Sequence, residues 1–172
     1  MDDRIQIKSS SSRNITAPGL SDQEIRDINH EIELVPYKKA AVIEALKVVQ
    51  KYRGWVSDES VEAIGAHLGM SAAEVDSVAT FYNLIFRRPV GRHVILLCDS
   101  ISCYVMGYKK IQDALKQKLD IGFGDTTADK KFTLLPNCCL GCCDHAPAMM
   151  IDEELHNDLE VENLDEVLSR YD

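Results

Sequence analysis

The sequence lacks long apolar runs, glycine-rich phosphate-binding motifs and the start of a secreted protein. None of its stretches approaches the roughly 20 apolar residues that a transmembrane helix needs, and residues 1–4 show neither the basic nor the apolar region of a signal peptide. Neither G-x-G-x-x-G nor G-x-x-x-x-G-K-[ST] occurs, so we expect no dinucleotide or nucleoside triphosphate site in this chain. The sequence therefore predicts a protein of the reducing cytosol that binds no nucleotide.

Positive charge is also scarce at one end of the chain. The formal net charge of the 172 residues is −9. Residues 1–142 hold 18 basic and 18 acidic side chains, whereas residues 143–172 hold ten acidic side chains and one basic one, Arg170. This balance excludes nucleic acid as a partner, because binding to phosphates needs a basic surface. We interpret the acidic segment as a solvated face of the protein.

Helix caps and apolar periodicity divide the chain into three parts. Residues 1–20, with a run of serines, are predicted to be a flexible arm. Residues 21–88 are predicted to form an all-helical bundle, with capping boxes at Ser21 and Ser71 and helix-ending glycines at Gly54 and Gly69. Residues 89–172 change to an α/β order. The predicted fold class is therefore α+β overall, a helical bundle followed by an α/β domain.

The α/β domain is predicted to begin with a buried strand at residues 93–98, a short apolar run rich in β-branched residues. One helix over residues 104–119 and a strand at residues 131–135, ended by Pro136, come next. Two short strands at residues 148–151 and 155–159 and a helix over residues 163–171 complete it. Near the domain boundary, Phe81, Tyr82 and Phe86 are interpreted as core residues rather than an interface.

Cysteine is the residue type that stands out. All six cysteines lie between positions 98 and 143. Cys98 and Cys103 stand where the first strand ends and the next helix begins, and the other four lie in the run Cys138-Cys139-Leu140-Gly141-Cys142-Cys143 after the second strand. Loops at the carboxyl ends of neighbouring strands meet at one sheet edge, so both groups should converge. In a reducing compartment, such clustered thiols predict a four-thiolate metal site.

Spacing alone leaves the metal open. Structural zinc is compatible with it, and would make the chain an interaction module without redox activity. A plant-type ferredoxin would need a cysteine where Met106 stands, and a Rieske centre would need a second histidine besides His145. Disulfide exchange through Cys139 and Cys142 would leave the first pair unexplained. A 2Fe-2S cluster held by two cysteine pairs accounts for the most residues. In the second group, Cys138 with Cys142 and Cys139 with Cys143 have equal spacing.

The motifs resemble the thioredoxin-like 2Fe-2S ferredoxins. The resemblance rests on Cys98-x4-Cys103 and on Cys139-Leu140-Gly141-x-Cys143 followed by Ala146-Pro147. It extends to Gly54-Trp55-Val56, Val78-Ala79-Thr80-Phe81-Tyr82 and Pro89-Val90-Gly91, and so covers the chain from about residue 21 to its end. It implies a thioredoxin-like fold for residues 89–172 and one 2Fe-2S cluster with Cys98, Cys103, Cys139 and Cys143 as its ligands. Cys138 and Cys142 would then be spare thiols, and Tyr104 and Met106 are interpreted as packing around the site.

The same resemblance implies a function. It is that of an electron-transfer subunit of a respiratory NADH-quinone oxidoreductase, which exchanges single electrons between its cluster and the FMN of a partner flavoprotein. FMN and NADH would bind to that partner, and this chain would hold no catalytic residue. It would lie with the other peripheral-arm subunits on the cytoplasmic side of the inner membrane. The alternative is the equivalent subunit of a soluble NAD-linked hydrogenase or formate dehydrogenase.

The charges near the proposed ligands predict a low reduction potential. Asp99 and Asp144 each follow a ligand and add negative charge to an anionic cluster. Backbone amides of the Leu140-Gly141 turn are suitably placed to donate hydrogen bonds to it. We therefore expect a midpoint potential in the region of roughly −400 mV, as in plant-type ferredoxins.

Overall fold

Residues 19–171 are described by the computed structural model of the chain, and they fall into two units that divide between Arg87 and Arg88. Of the predicted flexible arm, residues 1–18 lie outside the described part. Within that part, no helix has the length and apolar character needed to cross a membrane.

The first unit, as described from residue 19, is helical. The capping box at Ser21 has both of its bonds, since Ser21 Oγ accepts from the Glu24 amide at 3.3 Å and Glu24 Oε2 accepts from the Ser21 amide at 2.7 Å. The box of Ser71 and Glu74 is formed in the same way. The helices are α1 (Asp22–Glu33), α2 (Val42–Arg53), α3 (Asp58–Leu68) and α4 (Ala72–Phe81), with a 3-10 turn at Lys38–Ala41.

An ion pair between a buried glutamate and a partly buried arginine joins α1 to α2 inside this unit. Glu24 is 2% exposed, and its two carboxylate oxygens accept hydrogen bonds from Arg53 Nε at 2.6 Å and Arg53 Nη2 at 2.7 Å. These bonds hold the pKa of Glu24 below its usual value. Around the pair, the apolar faces of the helices supply the core, which includes Ile28, Leu46, Val49, Ile64 and Val75.

The second unit, residues 88–171, is built on a four-stranded sheet of order β2-β1-β3-β4. Strands β1 and β2 are parallel, whereas β3 is antiparallel to β1 and to β4. Because β1 is central, its residues from Val94 to Cys98 are all buried. The elements are β1 (His93–Cys98), α5 (Ile101–Val105), α6 (Tyr108–Leu119), β2 (Phe132–Asn137), β3 (Met149–Ile151), β4 (Glu154–His156) and α7 (Leu164–Leu168), with 3-10 turns at Cys143–His145 and Val161–Asn163.

Four predicted elements of this unit differ from the structure. The strand expected over residues 155–159 is β4, which already ends at His156. The single helix expected over residues 104–119 is two helices, separated at Gly107, whose φ of +110° interrupts the helical backbone. Strand β2 continues through Pro136 to Asn137, because β2 lies at the sheet edge, where a strand tolerates a residue without an N–H. The terminal helix is only the five residues of α7.

The interpretation of Phe81 and Tyr82 as core residues is wrong. Phe81 is 80% exposed and Tyr82 is also at the surface, and their rings meet edge to face with centroids 5.1 Å apart. Phe81 follows the buried Ala79 by two residues, which is about 200° around the helix and therefore on nearly the opposite side from it. Phe86 is partly buried.

Candidate metal centre

The parallel pairing of β1 with β2 brings the two cysteine groups to one edge of the sheet. Cys98, the last residue of β1, pairs in register with Asn137, the last residue of β2. Just beyond them, the Asp99 amide donates to the Asn137 carbonyl at 3.0 Å. The Cys98 thiol lies 3.6 Å from the carbonyl oxygen of Cys138. The loop that follows β2 therefore lies directly against the segment that follows β1.

Four thiols form a group with a buried side and an exposed side. Cys98 and Cys103 are each 2% exposed, whereas Cys139 and Cys143 are exposed. The Sγ atoms of Cys139 and Cys143 are 3.7 Å apart, and the Cys98 thiol lies against the same loop, 3.6 Å from the Cys138 carbonyl oxygen. We call Cys98 and Cys103 the inner pair, and Cys139 and Cys143 the outer pair.

Cys138 and Cys142 have different surroundings. Cys142 is partly buried and packs against the apolar core of the second unit, and burial raises the pKa of its thiol. Cys138 is exposed, and its backbone carbonyl, rather than its side chain, faces the inner pair. All six cysteines are free thiols.

Hydrogen bonding and burial act differently on the inner and outer pairs. The Gly141 amide donates to Cys139 Sγ at 3.4 Å, and this bond is the main reason why the pKa of Cys139 is lowered. The bond that Cys143 makes to Cys139 raises the pKa of Cys143. Burial raises the pKa of Cys103 to about 11. The Gly141 amide thus stabilises a thiolate at Cys139, and the buried Cys103 thiol depends on a bound cation for its deprotonation.

This donor set fits an iron–sulfur cluster. Cysteine thiolates are the usual ligands of such clusters. The Sγ separation in the outer pair, 3.7 Å, is close to the edge of a tetrahedron around a metal with bonds of about 2.3 Å. Within residues 19–171, no three Cys, His, Asp or Glu side chains are arranged to hold one metal ion. A binuclear cluster does not require such a group, since each iron takes two protein ligands.

The side chains next to the thiols do not pack as predicted. Tyr104 and Met106, interpreted as packing around the site, are exposed. With Ile101 and Val105 they form an apolar surface, the α5 patch, whose members are 61–74% exposed. These side chains are exposed because α5 is short and Cys103 is its one buried residue. His145, beside the outer pair, directs Nδ1 to Asp158 Oδ2 at 2.9 Å.

Two serines at the site were not predicted. Beside the causes given above, Ser100 lowers the pKa of Cys139 and Ser102 lowers the pKa of Cys143. Both serines lie between the inner ligands, in the run Cys98-Asp-Ser-Ile-Ser-Cys103. That position in the sequence was the signal that could have pointed to them.

The model of the thioredoxin-like [2Fe-2S] ferredoxin family matches residues 28–172. Since this match spans most of the sequence, the chain belongs to that family, as its motifs predicted. The thioredoxin-like domain implied for the second half agrees with the mixed sheet described above.

Similar proteins within this family are named as subunits of NADH-quinone oxidoreductase. The one from Escherichia coli K12 is 55% identical over 152 residues, which are 88% of this chain and 92% of the relative. The protein of the same name from Pseudomonas aeruginosa is 51% identical with the same coverage. The crystal structure of an NAD+-reducing [NiFe]-hydrogenase has a similar fold, with a TM-score of 0.63 and 22% identity over 73% of this chain and 22% of that chain.

Proposed function

We propose that this chain is the electron-transfer subunit of an NADH-quinone oxidoreductase, and that Cys98, Cys103, Cys139 and Cys143 hold its 2Fe-2S cluster. The grouping of these four thiols at one sheet edge is the observation that carries the proposal. The relatives named as subunits of NADH-quinone oxidoreductase, at 51–55% identity over 92% of their own length, support the assignment to this complex.

The cluster, when bound, supplies one-electron redox chemistry. The inner pair holds it from the buried side and excludes water there, since both thiols are 2% exposed. The outer pair holds it from the surface, where a partner's redox centre can approach. The Gly141 amide, at 3.4 Å from Cys139 Sγ, stabilises negative charge on that ligand.

The partner in this proposal is a flavoprotein subunit that binds NADH and carries FMN, because this sequence has no nucleotide-binding motif of its own. The exposed α5 patch begins three residues after Cys98 and flanks Cys103 in the sequence, so an apolar surface lies beside an inner ligand. We place the chain among the peripheral-arm subunits on the cytoplasmic side of the inner membrane.

The ligand assignment is tested by changing each of the six cysteines to serine and measuring iron, sulfide, zinc and the visible spectrum after anaerobic reconstitution. Cys138→Ser and Cys142→Ser are matched controls, since each lies beside a ligand in the same loop, and both should keep a full cluster. The variants of the four proposed ligands should lose it. A full cluster in Cys139→Ser together with its loss in Cys142→Ser would show that the assignment is wrong. A colourless, zinc-containing wild type would contradict the function itself.

The assignment to a complex is tested by purifying the tagged chain from its native host. Co-purification with an FMN-containing flavoprotein and with membrane subunits is expected. Recovery with hydrogenase or formate dehydrogenase subunits instead would favour the soluble alternative.

A further inference from the structure

The outer pair has the geometry of two thiols that can join in a disulfide. The Sγ atoms of Cys139 and Cys143 are in van der Waals contact at 3.7 Å, and a disulfide bond would bring them to about 2.05 Å. Residues 138–142 belong to no helix or strand, so the short movement that this bond requires disturbs no regular element. Gly141, with a φ of +83°, turns the loop back on itself between the two cysteines.

Burial distinguishes the outer pair from the other four thiols. Cys98 and Cys103 are each 2% exposed, so an oxidant in solution does not reach them. Cys142 is partly buried and packs against the apolar core of the second unit. Cys138 is exposed, but its partner at the equivalent spacing is the partly buried Cys142. Since oxidation of cysteine follows exposure, the outer pair is favoured, because both of its thiols are exposed and their sulfurs are in contact.

The chemistry of closure is thiol–disulfide exchange with a low-molecular-weight disulfide. One outer thiolate attacks a sulfur of that disulfide, forms a mixed disulfide and releases the first small thiol. The second outer thiolate attacks the mixed disulfide, which forms the bond between Cys139 and Cys143 and releases the second small thiol. The two protein sulfurs lose two electrons in total, the small disulfide gains them, and the two thiol protons pass to the released thiols. A dithiol reverses the reaction.

We infer that Cys139 and Cys143 form a reversible disulfide when the chain meets a low-molecular-weight disulfide before its cluster is bound, and that only the reduced pair accepts the cluster. The bond removes both outer ligands, because the thiolate is the form of cysteine that binds metal. The outer pair is thereby a redox switch on cluster assembly. The part of this inference that concerns the cluster rests on the proposed function, whereas the disulfide itself does not.

The test uses the full chain, freed of metal under anaerobic reducing conditions and then incubated with oxidised glutathione. The number of free thiols should fall from six to four. The remaining thiols are alkylated, the disulfide is reduced, and its cysteines are labelled with an isotopically distinct form of the same reagent. Mass spectrometry should place this second label on Cys139 and Cys143. Cys138→Ser and Cys142→Ser are matched controls from the same loop and should form the same bond, whereas Cys139→Ser and Cys143→Ser should stop at the mixed disulfide.

A second measurement concerns the cluster. Iron and sulfide added anaerobically to the oxidised chain should at first give no visible cluster absorbance, and prior treatment with a dithiol should restore it. The chain that already holds its cluster should acquire no second label at either outer cysteine.

The possible results separate the inference from the proposed function. Six free thiols, a mixed disulfide that does not close, or a second label on another pair in the wild type would overturn the inference and leave the proposed function standing. An oxidised chain that assembles its cluster as fast as the reduced chain would overturn the redox switch. A wild type that forms the disulfide but binds no cluster after dithiol treatment would overturn the proposed function and leave the disulfide standing. These results come from the wild type, so they hold even where a serine variant fails to fold.

Discussion

Gly141→Ala should both strain the backbone and weaken the hydrogen bond to a cluster ligand. Gly124→Ala is a matched control that should only strain the backbone, so a comparison of the two variants separates these effects. Gly141 has a φ of +83° and Gly124 a φ of +85°, and a Cβ at either position would meet no atom within 4 Å. Alanine should therefore cost about 1–2 kcal/mol at each position, the usual cost of a left-handed conformation. The two glycines differ in their hydrogen bonds. The Gly141 amide donates to Cys139 Sγ at 3.4 Å, whereas that of Gly124 donates to the Leu134 carbonyl at 2.8 Å.

Both variants should lower the melting temperature of the second unit by about 5–10 °C, as expected for that cost in a domain of this size. Only Gly141→Ala should also destabilise the cluster. An alanine that moves away from the left-handed conformation turns its amide away from Cys139. The lost bond has a charged acceptor and is worth about 1.5–3 kcal/mol, so iron release to a chelator should become at least roughly tenfold faster.

The assay is a thermal melt followed by circular dichroism, together with the loss of visible absorbance in excess chelator. Equal rates of iron release in Gly141→Ala and Gly124→Ala would refute the role of the amide. A melting temperature of Gly141→Ala equal to that of the wild type would refute the argument from backbone strain.

Further predictions concern the potential, the ion pair that joins α1 to α2, and the surface. Because Asp99 and Asp144 are exposed beside the ligands, a potentiometric titration should give a midpoint in the region of roughly −400 mV, and a value near zero would contradict this. Arg53→Met should lower the free energy of unfolding of the first unit by about 3 kcal/mol at pH 7, measured in urea, since it leaves Glu24 buried without its partner. In the wild type the pKa of Glu24 is lowered on folding, so its contribution is present above the ordinary carboxyl pKa and is lost as the pH falls through the folded value. The loss caused by Arg53→Met should therefore shrink in acid, and an equal loss at pH 7 and at low pH would contradict this explanation. Phe81→Ser should change stability by less than about 0.5 kcal/mol because Phe81 is exposed, and a large loss would show that it is part of the core.

Local chemistry explains why much of the fold could be predicted from the sequence. The capping boxes at Ser21 and Ser71 are satisfied within four residues of chain, so both helix starts follow from the sequence alone. The buried strand β1 was predicted at its observed bounds, because its continuous apolar run suits a central strand covered on both faces. The division of the chain into a helical part and a mixed part could also be predicted, because apolar residues at helical spacing give way to short continuous apolar runs after residue 88.

The sequence by itself determined the family and the two groups of cysteines, because these depend on residue types at fixed spacings. Only the tertiary structure decided the break at Gly107, the exposure of Phe81 and of Tyr104, and the arrangement of the cysteines into a buried and an exposed pair. Each of these depends on which surface another segment covers. For Cys98 that segment is the loop after β2, more than 30 residues further along the chain, and parallel strand pairing brings it to the site.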